Sequence, residues 1–150
     1  MEDMGAVQNL IKKIYGEKTG SLAFDKILPI LERFPPRKGR GRGYFSQEDV
    51  FLITYGDTLK KKGEHPLETL FKFAARQFKD VFSTIHILPF FPFSSDDGFS
   101  VIDFFTVNPK LGTWKDIRRL GREFQLTFDL VLNHVSAKSM WFQNYLAEKP

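Results

Sequence analysis

The chain has 150 residues, 42% of them hydrophobic and 27% charged, with a formal net charge of +4. This is the make-up of one globular domain, and so small a net charge is no argument for nucleic acid. Cysteine is absent, which excludes disulfides, cysteine-ligated zinc and thiol catalysis and makes a reducing cytoplasm the expected compartment. No apolar run approaches the ~18 residues of a membrane span, and no signal-peptide pattern follows Met1, so no membrane partner is expected.

Taken in order, the chain opens on helical spacing: Val7, Leu10, Ile11 and Ile14, with Gly16 as a stop. A second apolar series follows at Phe24, Ile27, Leu28, Leu31 and Phe34. Pro29 interrupts it, which predicts a kink or a helix starting near Leu28. Residues 35 to 43, PPRKGRGRG, hold Arg37, Lys38, Arg40 and Arg42 among three glycines. Such a tract is a solvated linker, or touches phosphate groups as Arg-Gly tracts do. The expected division is a helical extension over residues 1–45 and a second domain over residues 46–150.

From Val50 the pattern changes. Val50 to Tyr55 is a continuous apolar and β-branched run, the mark of a strand buried on both faces. Gly56 and Asp57 follow, then an exposed turn at Lys60, Lys61 and Lys62. Pro66 fits a first helical position, and Leu67, Leu70, Phe71, Ala74 and Phe78 line one face of the helix it starts. The next strand is Thr84 to Leu88. A long polar-aromatic loop then runs on to Asn108, carrying Asp96 and Asp97 beside Gly98 and Phe99, with Asp103 further on. Paired carboxylates can hold sugar hydroxyls while an aromatic ring lies on the sugar's C–H face. The same residues also suit an Asp-Asp-Gly turn with Phe99 in the core. Thr113 and Asp116 form a capping box for a helix that buries Trp114, Ile117 and Leu120. The third strand is Thr127 to Leu132, and a short helix with Trp141, Phe142, Tyr145 and Leu146 closes the chain.

Strand, helix, strand, helix, strand with apolar strands predicts an α/β fold with a parallel sheet wrapped by helices. Polar residues gather after each strand, where doubly wound sheets and (β/α)8 barrels both bind ligands. No GxGxxG follows any strand, so a dinucleotide is not indicated. On the third strand, Asp129, Asn133 and His134 form a D-x-x-x-N-H pattern. Asp129 is expected inside the sheet, with Asn133 and His134 at its rim. A buried Asp needs a partner. His134 can donate to a substrate hydroxyl or serve as a satisfied structural residue.

DLVLNH, residues 129 to 134, resembles the first conserved region of the α-amylase superfamily, glycoside hydrolase family 13. HILPFFPFSSDDGFSVIDF and NPKLGTW resemble its sucrose phosphorylase branch. The wording SSDDGFSVID and the extension before LITYGD look closest to the glucosylglycerate phosphorylase-like members. The resemblance covers Val50 to Pro150 and implies the first three β/α units of a (β/α)8 TIM barrel. It implies that Asp96 binds glucose hydroxyls, that Phe99 forms a platform under the sugar, and that His134 contacts the hydroxymethyl end. Asp129 matches a structural aspartate, and Asp57, Asp97 and Asp103 are expected to be structural or supporting. Asn133 matches a residue that ligates calcium in some amylases, but this branch is expected to need no metal and no cofactor. Phe104 departs from the Tyr or His of many relatives and cannot donate a hydrogen bond. The implied activity is a retaining α-glucoside phosphorylase with inorganic phosphate as co-substrate. The nucleophile and the acid/base are expected beyond Pro150, which makes this chain the N-terminal segment of a longer enzyme. The alternatives are a hydrolase or transglycosidase of the same superfamily, and, in another class, an inactive fragment or a nucleic-acid-binding module acting through Arg37 to Arg42.

Overall fold

The computed structural model describes residues 4–34 and 45–149. The basic tract, residues 35–43, lies outside the described residues. The chain divides into two compact units, Met1–Gly43 and Tyr44–Pro150.

The first unit is a pair of helices, α1 (Met4–Tyr15) and α2 (Glu17–Arg33). Gly16 takes φ 80°, a left-handed conformation that glycine adopts without strain, and this breaks the helix between them. The two helices pass very close at Gly20. A Cβ there would stand 2.5 Å from the Lys12 Cα, so only glycine fits the crossing. Phe24, four residues further along α2, is buried. The expected start near Leu28 is wrong: α2 begins at Glu17 and runs through Pro29. Pro29 gives up the bond to the Asp25 carbonyl, but it is exposed, and the helical turns on both sides outlast that one loss.

The second unit alternates β1 (Phe51–Thr54), α3 (Pro66–Gln77), β2 (Thr84–Ile87), α4 (Trp114–Glu123), β3 (Gln125–Phe128) and α5 (Met140–Leu146). The strands form a parallel sheet in the order β1-β2-β3. Thr84 of β2 stands level with Phe51 on one side and Gln125 on the other. This is the chain order and direction of the start of a TIM barrel. α3 starts at Pro66, whose missing N–H costs nothing at a helix start. α4 starts on the expected capping box, with Asp116 accepting from the backbone N–H of Thr113 at 2.9 Å.

The core lies between the sheet and its two helices. Leu67, Leu70 and Ala74 of α3 meet Ile117 and Leu120 of α4 over Ile85 and Ile87 of β2. Phe90, Val107 and Phe124 close it. Side chains alternate along a strand, so Phe51, Ile53, His86 and Thr127 point to the opposite face. On that face Ile53 is 63% exposed.

The third strand differs from its expected span. It covers Gln125–Phe128, two residues earlier than Thr127 to Leu132 at its start. The hydrogen bond from the Gln125 N–H to the Ser83 carbonyl sets this register at the strand's first residue. Asp129 therefore follows the strand instead of lying within it, and Leu130 and Leu132 are each 80% exposed. None of the described helices is long and apolar enough to cross a membrane.

Candidate functional site

The polar loop after β2 is built as a hairpin. Pro89 and Phe90 are buried, and the Phe90 ring packs edge-on against Trp114 and Phe128. Beyond them the chain doubles back. Ile102 donates its backbone N–H to the Pro92 carbonyl at 2.7 Å, Ser94 donates to the Ser100 carbonyl at 3.0 Å, and Phe93 bridges Val101 in antiparallel fashion.

The tip of this hairpin holds three consecutive residues with positive φ: Asp96 at 59°, Asp97 at 47° and Gly98 at 108°. Aspartate tolerates this region better than most residues, because its short polar side chain suits tight turns. Gly98 is required for a second reason. It is buried, and a Cβ would stand 2.8 Å from the Pro89 carbonyl oxygen. The tip thus folds back onto the end of β2, closed by the Phe99 N–H donating to the Asp96 carbonyl at 2.8 Å. Left-handed non-glycine residues concentrate where a functional geometry is held by its surroundings. Both carboxylates point outward: Asp96 and Asp97 are exposed, and among the described residues no hydrogen bond reaches either. Phe99 is half-buried and stands outside the core cluster.

The segment after β3 closes on this hairpin. His134 donates from Nε2 to the Phe99 carbonyl at 3.2 Å. Ser136 donates its backbone N–H to the Val101 carbonyl at 2.8 Å, and its hydroxyl meets that of Ser94 at 2.6 Å. The hairpin that carries Asp96 and Phe99 is therefore tied to the segment that carries His134, beyond the carboxyl ends of β2 and β3. With Nε2–H engaged, a neutral His134 ring has Nδ1, an acceptor, left for a ligand.

The remaining singled-out residues lie elsewhere or act on the backbone. Asp103 accepts from the Phe105 N–H and the Thr106 hydroxyl, both at 2.8 Å, and so folds its own loop. Asp57 pairs with Lys60 at 3.0 Å on the surface. Asn133 is exposed. Asp129 meets His86 Nε2 at 3.0 Å, which ties the exit of β3 to β2. Phe104 packs its ring against Phe91 and Trp141. Two participants were not singled out in the sequence, His86 and Ser136, whereas Ser94 opens the polar group Ser94 to Asp97 expected after the second strand. His86 carries a usable signal, a polar side chain in an otherwise apolar strand. Ser136 carries none, since serine is ordinary in loops.

Residues 80–150 match the family model described as the catalytic domain of alpha amylase. The chain is 47% identical over 137 residues to a glucosylglycerate phosphorylase of Allomeiothermus silvanus, an alignment that covers 91% of the chain and 24% of that relative. Over most of its length the chain is thus similar to glucosylglycerate phosphorylases. A sucrose 6(F)-phosphate phosphorylase of Thermoanaerobacterium thermosaccharolyticum is 44% identical over 65% of the chain and 19% of its own length. The crystal structure of sucrose 6F-phosphate phosphorylase superimposes with a TM-score of 0.61 at 42% identity, covering 69% of the chain and 20% of that structure. The chain thus spans about a quarter of the length of the glucosylglycerate phosphorylase it matches.

Proposed function

We propose that these residues form the sugar-holding start of a retaining α-glucoside phosphorylase barrel, with glucosylglycerate as the substrate and phosphate as the co-substrate. On this reading the exposed Asp96 carboxylate accepts from glucose hydroxyls. Phe99 lies beneath the ring, and Nδ1 of His134 accepts from the hydroxymethyl group. The reaction is reversible phosphorolysis by double displacement, giving α-glucose 1-phosphate and glycerate. Retention needs two carboxyl groups about 5 Å apart, a nucleophile and an acid/base. Neither role falls to Asp96 or Asp97, and both belong to later strands of the barrel.

The observation that carries the choice of substrate is the extent of the likeness. The alignment with glucosylglycerate phosphorylase takes in 91% of the chain, more than the second unit alone can supply, whereas that with sucrose 6(F)-phosphate phosphorylase takes in 65%. The test is to incubate the enzyme that contains this chain with glucosylglycerate and phosphate. Release of α-glucose 1-phosphate, faster than from sucrose, is the expected result. Free glucose in place of the phosphate ester would make the enzyme a hydrolase of the same superfamily.

A further inference from the structure

We infer that the Ser94–Ser136 hydroxyl pair is a positioning device, which holds the hairpin of Asp96 and Phe99 in register with the segment that carries His134. The inference rests on reading this patch as a glucoside site.

Ser136 is 2% exposed, while His134 and Val135 before it and Ala137 and Lys138 after it are all exposed. A buried hydroxyl is stable only with partners. Here the Ser136 oxygen meets Ser94 Oγ at 2.6 Å and accepts from the Lys138 N–H at 3.0 Å. Its backbone N–H reaches across to the Val101 carbonyl. One small residue thus plugs the second segment onto both arms of the hairpin, since Ser94 is on the outgoing arm and Val101 on the returning one. The turn that presents Asp96 lies between those arms. His134 is two residues before Ser136, so where its ring lies follows from where Ser136 is held. A sugar gripped from both segments requires their spacing to be fixed before it arrives, because a small displacement weakens every polar contact at once.

Ser94 is exposed, so its hydroxyl can be removed without opening a cavity. In the enzyme that contains this chain, Ser94→Ala should raise KM for the glucoside and the dissociation constant of glucose, measured calorimetrically, by roughly three- to tenfold, the range of one hydrogen bond. Deuterium uptake should quicken over residues 94–102 and 133–139, with little change in melting temperature. Ser94→Thr keeps the hydroxyl and should restore both readings. Unchanged KM and uptake in Ser94→Ala would overturn the inference, as would a raised KM that Thr fails to correct. If the unaltered enzyme shows neither phosphorolysis nor glucose binding, the functional reading fails by itself. Uptake alone then judges the clip, and an unaltered rate in Ser94→Ala rejects it.

Discussion

Asp96 and Asp97 are adjacent, similarly exposed and both left-handed, yet they have different tasks on the reading given above. Asp96 closes the turn through its own carbonyl, and among the described residues its carboxylate is free of protein donors. Asp96→Asn should lower kcat/KM for the glucoside by about a hundredfold, because a site built around a hydroxyl suffers when its polar partner is weakened. Asp97→Ala should stay within a few-fold of the unaltered enzyme. Steady-state kinetics on both variants checks the assignment, and the reverse ranking would exchange their roles. Gly98 is a sharper test of geometry. Gly98→Ala brings a Cβ within 2.8 Å of the Pro89 carbonyl, which is backbone and cannot swing away. The tip must lift, so glucose affinity and thermal stability should both fall, whereas Gly63→Ala, at a positive φ but in open space, should alter stability alone. The site was half legible at this scale. The carboxylate pair, the aromatic and the histidine were visible as residue types at strand ends. The conformation that groups them depends on Pro89 lying under Gly98, a contact that no local pattern announces.

Among the elements, those with strong local signals were the ones placed correctly. α3 carries a first-turn proline and a continuous apolar face, and α4 carries a capping box, so their starts could be read from a few residues. β3 was misplaced because TFDLVL looks like one buried strand, whereas its pairing partner β2 has only four residues to offer. Apolar Leu130 and Leu132 are left in the open as a result. The same shift gives Asp129 a different duty. Standing after the strand, it meets His86 from β2 and holds the end of one strand against the body of its neighbour. Each side chain is about a quarter exposed or less. His86→Ala should therefore destabilise the second unit by about 1–3 kcal/mol, as expected when a half-buried carboxylate loses its partner. Asp129→Asn, which keeps a hydrogen-bond acceptor, should cost less. Denaturant titration of the two variants separates them, and equal losses would mean that the pair depends on the charge of the carboxylate and not only on an acceptor.

On the scale of the whole molecule, the sheet of the second unit has α3 and α4 on one face, and none of that unit's own described helices packs as a layer on the other. Ile53, Leu130 and Leu132 are each more than half exposed, and Phe51 is well exposed too. Among the described residues, both outer strands, β1 and β3, are unpaired along one edge. If four to six large side chains stay wet at roughly 1.5–3 kcal/mol each, the shortfall is on the order of 10 kcal/mol, comparable with the whole stability of a domain. The 150-residue chain by itself should bind hydrophobic dye, self-associate and release no α-glucose 1-phosphate. A monomer with a sharp cooperative melt would contradict the first part, and turnover abolished by Asp96→Asn the second.

The chain has two tryptophans, Trp114 and Trp141. Trp114 donates its indole N–H to the Phe105 carbonyl at 2.7 Å, and the Trp141 ring lies 5.9 Å from Phe104 and 6.0 Å from Phe105. Both indoles thus touch Phe105, in the segment that continues the hairpin presenting Phe99. In optical terms the loop is labelled by nature. A sugar that stills this hairpin should shift the indole emission and shield it from a small quencher, with Trp141→Phe deleting the more exposed half of the signal.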